Sequence, residues 1–198
     1  MARLALNKAE LARQKANLAQ YRRYLPALDM KRRQLMAERN QARAQLARLR
    51  QAAASKAEEV GAEIPMLADR EITLDRLVMV KGVRLGEQNV VGVRLPVLED
   101  VAFETARYGW LVRPHWVDRA AQRLAEALEL EMAAKVAARR VALLDEGVRK
   151  ITQRVNLFDK VLIPRAQAHI RRIAIHLGDA ERAAVVRAKF AKKKREAA

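Results

Sequence analysis

The chain has 198 residues and a formal charge of +17; 32% of its residues are charged, 4% are aromatic and none is cysteine. Without cysteine it has neither disulfides nor thiolate metal sites, which fits a reducing compartment, and so few rings argue against a compact core built on large side chains. No stretch free of Asp, Glu, Lys and Arg exceeds six residues, too short for a membrane-spanning helix. The start, Met1-Ala2-Arg3-Leu4-Ala5-Leu6-Asn7-Lys8, lacks an apolar run of secretory length, so a soluble protein is expected.

The charge is unevenly placed. Residues 1–58 hold 14 Lys/Arg against 4 Asp/Glu, residues 59–116 hold 7 against 9, and residues 117–198 hold 19 against 10. Five of the seven glycines and three of the five prolines fall in the middle segment, where they punctuate a compact insert between two helical arms. Three segments are therefore expected: an N-terminal coiled-coil helix over 1–58, a central insert over 59–116, and a C-terminal coiled-coil helix with a basic tail over 117–198.

In the first arm Leu4, Leu11, Leu18 and Leu25 recur every seventh residue, and Leu28, Leu35, Ala42 and Leu49 form a second row offset by three. Residues three apart share a helix face, so these are two tracks of one heptad seam, with the change of track near Pro26. Asn7 and Gln14 fall at early seam positions, where polar residues weaken packing but fix register. Uninterrupted from Ala2 to Glu58, this helix would be roughly 85 Å long at 1.5 Å per residue.

In the insert, Val78–Leu85 and Val90–Val97 are two β-branched runs on either side of Gly86-Glu87-Gln88-Asn89. They predict a β-hairpin over about 78–97 closed by a four-residue loop. Short helices are expected over 62–76 and 98–108, because a lone hairpin is marginal in water and needs a support.

The last arm runs Ala137, Val141, Leu144, Val148, Ile151, Val155, Phe158 and Leu162 in steps alternating four and three. Beyond Pro164 it resumes as Ala166, Ile170, Ile173, Leu177, Ala180 and Ala184, one step being four where three is due. Such a shift alters supercoiling locally, and Pro164 removes a backbone donor and predicts a kink. From Val117 to Lys194 the arm would span roughly 117 Å. Neither apolar stripe can be left in water, so the fold expected is mainly α: a long antiparallel two-helix coiled coil with a central insert containing a short β-hairpin. The longer C-terminal arm would project past its partner.

Three stretches, in order, resemble the D subunit family of V/A-type rotary ATPases. Leu25–Glu38 is similar to that family's basic stretch, with Lys31, Arg32 and Leu35 at matching positions. Asn89-Val90-Val91-Gly92-Val93-Arg94-Leu95-Pro96 resembles its Asn-Val-x-Gly-Val-x-x-Pro element through Asn89, Gly92 and Pro96. The most specific match is Arg154-Val155-Asn156 followed by Ile163-Pro164. There are departures: the family's Pro-Thr-Lys is Leu6-Asn7-Lys8, a glycine before the basic stretch is Tyr24, and one of two arginines is Gln153.

The resemblance implies a non-catalytic central shaft that couples ATP hydrolysis or synthesis to rotation of a membrane ring and to transport of protons or sodium ions. Its implied partners are the hexamer of catalytic and non-catalytic nucleotide-binding subunits (A and B), a small F subunit, and a funnel-shaped adaptor above the rotor ring. It would be cytoplasmic, peripheral to a membrane-bound complex, with no direct membrane insertion. The run Lys189, Lys192, Lys193, Lys194 and Arg195 reads either as a contact for acidic loops lining the ring's bore or as a solvated, frayed tail. Asn156 is either a polar seam residue or a ring contact, with the seam favoured.

Other features carry bland readings. His169 and His176 lack a carboxylate or thiol at ligand spacing; Trp110 and Trp116 are more readily caps on the hairpin than stacking platforms; the methionines read as gap-filling core. There is no P-loop and no nucleophile with a matching base, so no catalytic, cofactor-binding or metal-binding residues are assigned. The rival reading is a basic coiled coil that binds nucleic acid or acts as a scaffold, since a pI near 11.0 is an electrostatic footprint for phosphates. Scattered charge without interleaved aromatics speaks against it, and no nucleic-acid partner is expected.

Overall fold

The computed structural model describes residues 4–68, 76–106 and 114–196. In chain order they form α1 (Lys8–Glu63), a 3₁₀ turn (Pro65–Ala68), β1 (Val78–Val90), β2 (Val93–Thr105), α2 (Trp116–Leu157), a π-helical turn (Phe158–Leu162) and α3 (Ile163–Glu196). The fold is mainly helical with one antiparallel hairpin, as the sequence predicts. The chain divides into two compact units, one of Met1–Arg32 with Lys150–Ala198 and the other of Arg33–Arg149.

In the first unit, α1 opens on Asn7, whose Oδ1 accepts the Glu10 backbone N–H at 2.7 Å. Asn7 is thus an N-cap supplying one of the acceptors that the first helical turn lacks, not the register-fixing seam residue that its spacing predicts. The two helices here run antiparallel. Lys8 meets Glu181 at 3.7 Å, and the Tyr21 and Phe158 rings stand edge to face at 5.5 Å. Ile151, Val155, Ala166 and Ile173 are buried along the seam. Ala180 and Ala184, expected to continue it, are exposed: the face of α3 turned to α1 carries Ala174, Leu177, Gly178 and Glu181 instead, and Ala184 lies past Glu181, which meets Lys8 at the start of α1.

Pro26 leaves α1 unbroken. The extra seam residue near Pro164 is absorbed by the π-helical turn: the Ile163 N–H donates to the Phe158 carbonyl, five residues back. A π turn holds more residues than an α turn, so Phe158, Leu162 and Ala166 can follow one another at steps of four on one face. Pro164, lacking an N–H, falls just after it.

In the second unit, Leu35 and Ala42 of α1 and Ala137, Leu144 and Val148 of α2 are buried, and Arg43 donates to both Asp145 carboxylate oxygens at 2.9 Å. The hairpin differs from expectation. Val90 pairs with Val93, so its loop is Val91-Gly92, both at positive φ (53° and 82°), the geometry of a two-residue type I′ turn. Asn89 Oδ1 accepts the Gly92 N–H at 2.9 Å. Gly86, expected to start a loop, is instead paired with Val97 inside the ladder.

With its turn that far along, the hairpin's second strand extends to Thr105. The stretch from Leu98, expected to be helical, therefore continues as β2, with Val101 and Phe103 paired to Val83 and Val80. Of the helix expected over 62–76, residues 62–63 end α1, residues 65–68 form the 3₁₀ turn, and 69–75 lie outside the described residues.

The support that a lone hairpin requires comes from α2. At the hairpin's base, Leu77, Val78, Val117 and Ala121 form a buried cluster on which Phe103, Trp116 and Leu124 pack. At its tip, a Cβ on Gly147 would stand 3.0 Å from Val93 Cγ2 and 3.9 Å from Leu35 Cδ1. Thirty residues of helix from Val117 to Gly147 cover roughly 45 Å, and a 13-residue strand roughly 43 Å. The hairpin therefore lies along α2 for its full length, with the glycine letting its tip approach the helix backbone.

Candidate functional site

The residues singled out by motif fall into two sets, one in each unit. In the second unit Leu35 is buried in the helical pair, 1% exposed, Asn89 and Gly92 build the hairpin turn, and the Pro96 carbonyl accepts from Arg140 Nη1 at 3.4 Å. Arg140 also donates to Gln88 Oε1 at 3.1 Å, so it clamps the two strands to α2. Arg140 and Gly147 are not found from sequence: an arginine and a glycine within a heptad run carry no mark of the hairpin that will lie over them.

In the first unit, Arg32 pairs with Asp29 one turn back, Val155 is buried in the seam, and Ile163 closes the π-helical turn with Pro164 just after it. Asn156 is exposed, so the seam reading fails: the seam positions are Val155 and Phe158, and the residue between them points to solvent. Around this motif lies a groove lined by Tyr24, Ala27, Leu28, Lys31, Arg154, Leu157 and Phe158. Tyr24 and Leu157 are 52% and 46% exposed. Large apolar side chains left open together are more informative than any single one. The sequence holds one signal of it, an apolar Leu157 off the heptad seam.

The expected tail residues Lys189, Lys192, Lys193, Lys194 and Arg195 are exposed at the end of α3, beside an exposed Phe190. Trp116 packs at the hairpin's base as a capping residue would, while Trp110 lies outside the described residues. His169 faces a second groove, of mixed character, with Arg13, Arg165 and Arg172. No group of three or more His, Cys, Asp or Glu suited to a metal occurs among the described residues, and no described helix is long and apolar enough to cross a membrane.

The perturbed titrations belong to the junction between the end of α1 and the start of α2. Hydrogen bonds from Arg123 and Arg119 hold the Glu63 carboxyl below its ordinary range, and Lys56 with Arg123 does the same to Glu126. The Arg123 guanidinium is held correspondingly above its usual value by the two carboxylates. This is a network of ion pairs joining the end of α1 to the start of α2.

Each unit holds an antiparallel helical pair, the second with a docked hairpin, and the distinctive residues are structural or line an open surface groove. The family model of the ATP synthase D subunit matches residues 10–193, a span that includes both helical arms and the hairpin. The V-type ATP synthase D subunit of Borreliella burgdorferi is 34% identical over 194 residues, covering 97% of this chain and 95% of the relative. Those of Chlamydia trachomatis and Chlamydia pneumoniae are 32% identical over 200 residues and 30% over 196. These cover 97% and 96% of this chain, and 95% and 92% of the relatives. The chain belongs to the D subunit family of ATP synthases, a family of rotary ATPase subunits.

Proposed function

We propose that this chain is the central rotor shaft of a V/A-type rotary ATPase and has no catalytic role of its own. The observation that carries the reading is that one family match runs through both antiparallel arms and the hairpin. A helical pair with a side-chain seam resists bending and twisting better than a single helix, as torque transmission requires. The partners are a hexamer of catalytic and non-catalytic nucleotide-binding subunits around the shaft, a small F subunit on its side, and a funnel-shaped adaptor that joins it to the membrane ring. The chain would then be a peripheral part of the complex on the cytoplasmic side, organised as 1–58, 59–116 and 117–198.

Shaft function requires contacts that exchange as each ring subunit is met in turn. Lys189, Lys192, Lys193, Lys194 and Arg195, on long flexible stems, suit acidic loops in the bore better than a deep interlocking surface would. Reconstitution with the nucleotide-binding subunits tests this. One copy per ring and ATP turnover only in the assembled ring are expected, and removal of residues 189–198 should weaken retention while leaving the coiled coil folded. ATP hydrolysis by the isolated chain, or no association with the ring at low salt where basic contacts are strongest, would refute it.

A further inference from the structure

In the first unit both helices lack backbone hydrogen bonds at the same level. Pro26 lies inside α1, so the Arg22 carbonyl has no backbone donor four residues on. On the facing helix the Ile163 N–H reaches back to the Phe158 carbonyl. Pro164, next in line, can donate to neither Asp159 nor Lys160, so at least one of those carbonyls has no donor from its own helix. Arg22 adjoins Tyr21, whose ring meets that of Phe158 at 5.5 Å, which puts the two gaps side by side. Side-chain packing thins out there as well. Val155 and Ala166 are buried, but Phe158 and Leu162 between them are only half-buried. Each ring of the contact also borders an open groove, Tyr21 with Leu162 and Ala166 on one, Phe158 with Ala27 and Leu157 on the other.

The residue responsible for the π turn can be named. From Val155 the seam steps through Phe158, Leu162, Ala166, Ile170, Ile173 and Leu177 are three, four, four, four, three and four. Without Pro164 they would alternate three and four throughout, as an uninterrupted coiled-coil helix requires. A plain α-helix of the present sequence would instead continue the seam from Leu162 to Arg165, His169 and Arg172, turning polar and charged side chains inward. We propose that Pro164 is a skip residue that, with Pro26, builds a joint into the helical pair at the level of Tyr21 and Phe158. There the two helices open and flex locally, while the seam on either side, at Ile151 and Val155 and at Ala166 and Ile173, stays packed. Few buried side chains and missing backbone bonds are what lower the free energy of a local opening below that of global unfolding. The joint is a property of the first unit's backbone, independent of the shaft role proposed above.

Hydrogen exchange of the full chain, followed by mass spectrometry of its peptides, tests this. In the wild-type protein the amides of 22–30 and 158–168 should have protection factors at least about tenfold below those of 150–156 and 170–177, the effect of about one missing backbone hydrogen bond per helix. Their exchange should respond only weakly to low concentrations of urea, because a local opening exposes little surface. Pro26→Ala should raise protection in 22–30 about tenfold. Deletion of Pro164 should do the same in 158–168 and raise the melting temperature, since it removes the extra residue and restores the missing donor together. Should the deletion variant not fold, the wild-type profile and Pro26→Ala decide. Equal protection of the joint and its flanks in the wild-type chain, or a folded deletion variant whose 158–168 segment exchanges as fast as before, would overturn the joint while leaving the shaft role untouched.

Discussion

Gly147 sits well inside α2, where glycine costs about 1 kcal/mol relative to alanine, and its contact with the hairpin tip offers a reason. An added Cβ would lie 3.0 Å from Val93 Cγ2, against an optimum near 3.5–4.0 Å between carbon atoms. In Gly147→Ala the gain in helix propensity is therefore offset by the displacement of Val93, and the net change should be within about 0.5 kcal/mol of zero. Gly147→Val adds methyls against both Val93 and Leu35, whose Cδ1 is 3.9 Å from the Cβ position; it should destabilise by about 1–3 kcal/mol, the usual cost of overpacking.

A double-mutant cycle separates the clash from the propensity. In a Val93→Ala background the offending methyl is gone, so Gly147→Ala should now stabilise by about 1 kcal/mol, giving a coupling energy of about 1 kcal/mol between the two sites. Urea unfolding followed by the helical circular dichroism signal would measure all four proteins. Additive effects, with no coupling within error, would show that the hairpin tip does not rest on Gly147.

Three further outcomes are expected. Ile151 is 4% exposed in the seam, so Ile151→Asp, which buries an unpaired charge, should cost several times more in thermal unfolding than Arg149→Asp on the exposed face; about 3 kcal/mol or more is expected, and equal losses would mean the register is wrong. Val91, a β-branched residue at φ 53°, is strained by about 1–2 kcal/mol, and Val91→Asn, which creates the favoured Asn-Gly turn, should raise the melting temperature; a fall would show that the packing of this half-buried side chain outweighs the strain. Glu63 and Glu126 have depressed pKa values in the folded state. Their contribution is thus fully present above the ordinary carboxylate range and lost as pH falls through the folded values. Melting should therefore decline below about pH 4, and a Glu63→Gln/Glu126→Gln variant should show a shallower decline in the same titration.

The heptads by themselves determined that there are two long helices and that they pair, since an apolar stripe repeating every seventh residue cannot remain in water. Val148, Ile151 and Val155 were legible as core for that reason, as were the β-branched runs that became strands. The hairpin's turn was not legible. Gly86 and Val91-Gly92 both offer glycine near a possible loop, and a valine at positive φ is locally disfavoured; strand pairing and docking along α2 decided between them. Asn7 and Asn156 show the same limit in the first unit. Periodicity put Asn7 in the seam, but the helix starts there and the side chain caps it; Asn156 invited a register role, yet the buried Val155 and half-buried Phe158 leave it facing water. The groove is also a tertiary result. Tyr24 and Leu157 are 133 positions apart in a chain whose local pattern speaks only of seam and surface, and only the antiparallel pairing of the helices, driven by burial of the seam, brings them to the two walls of one groove.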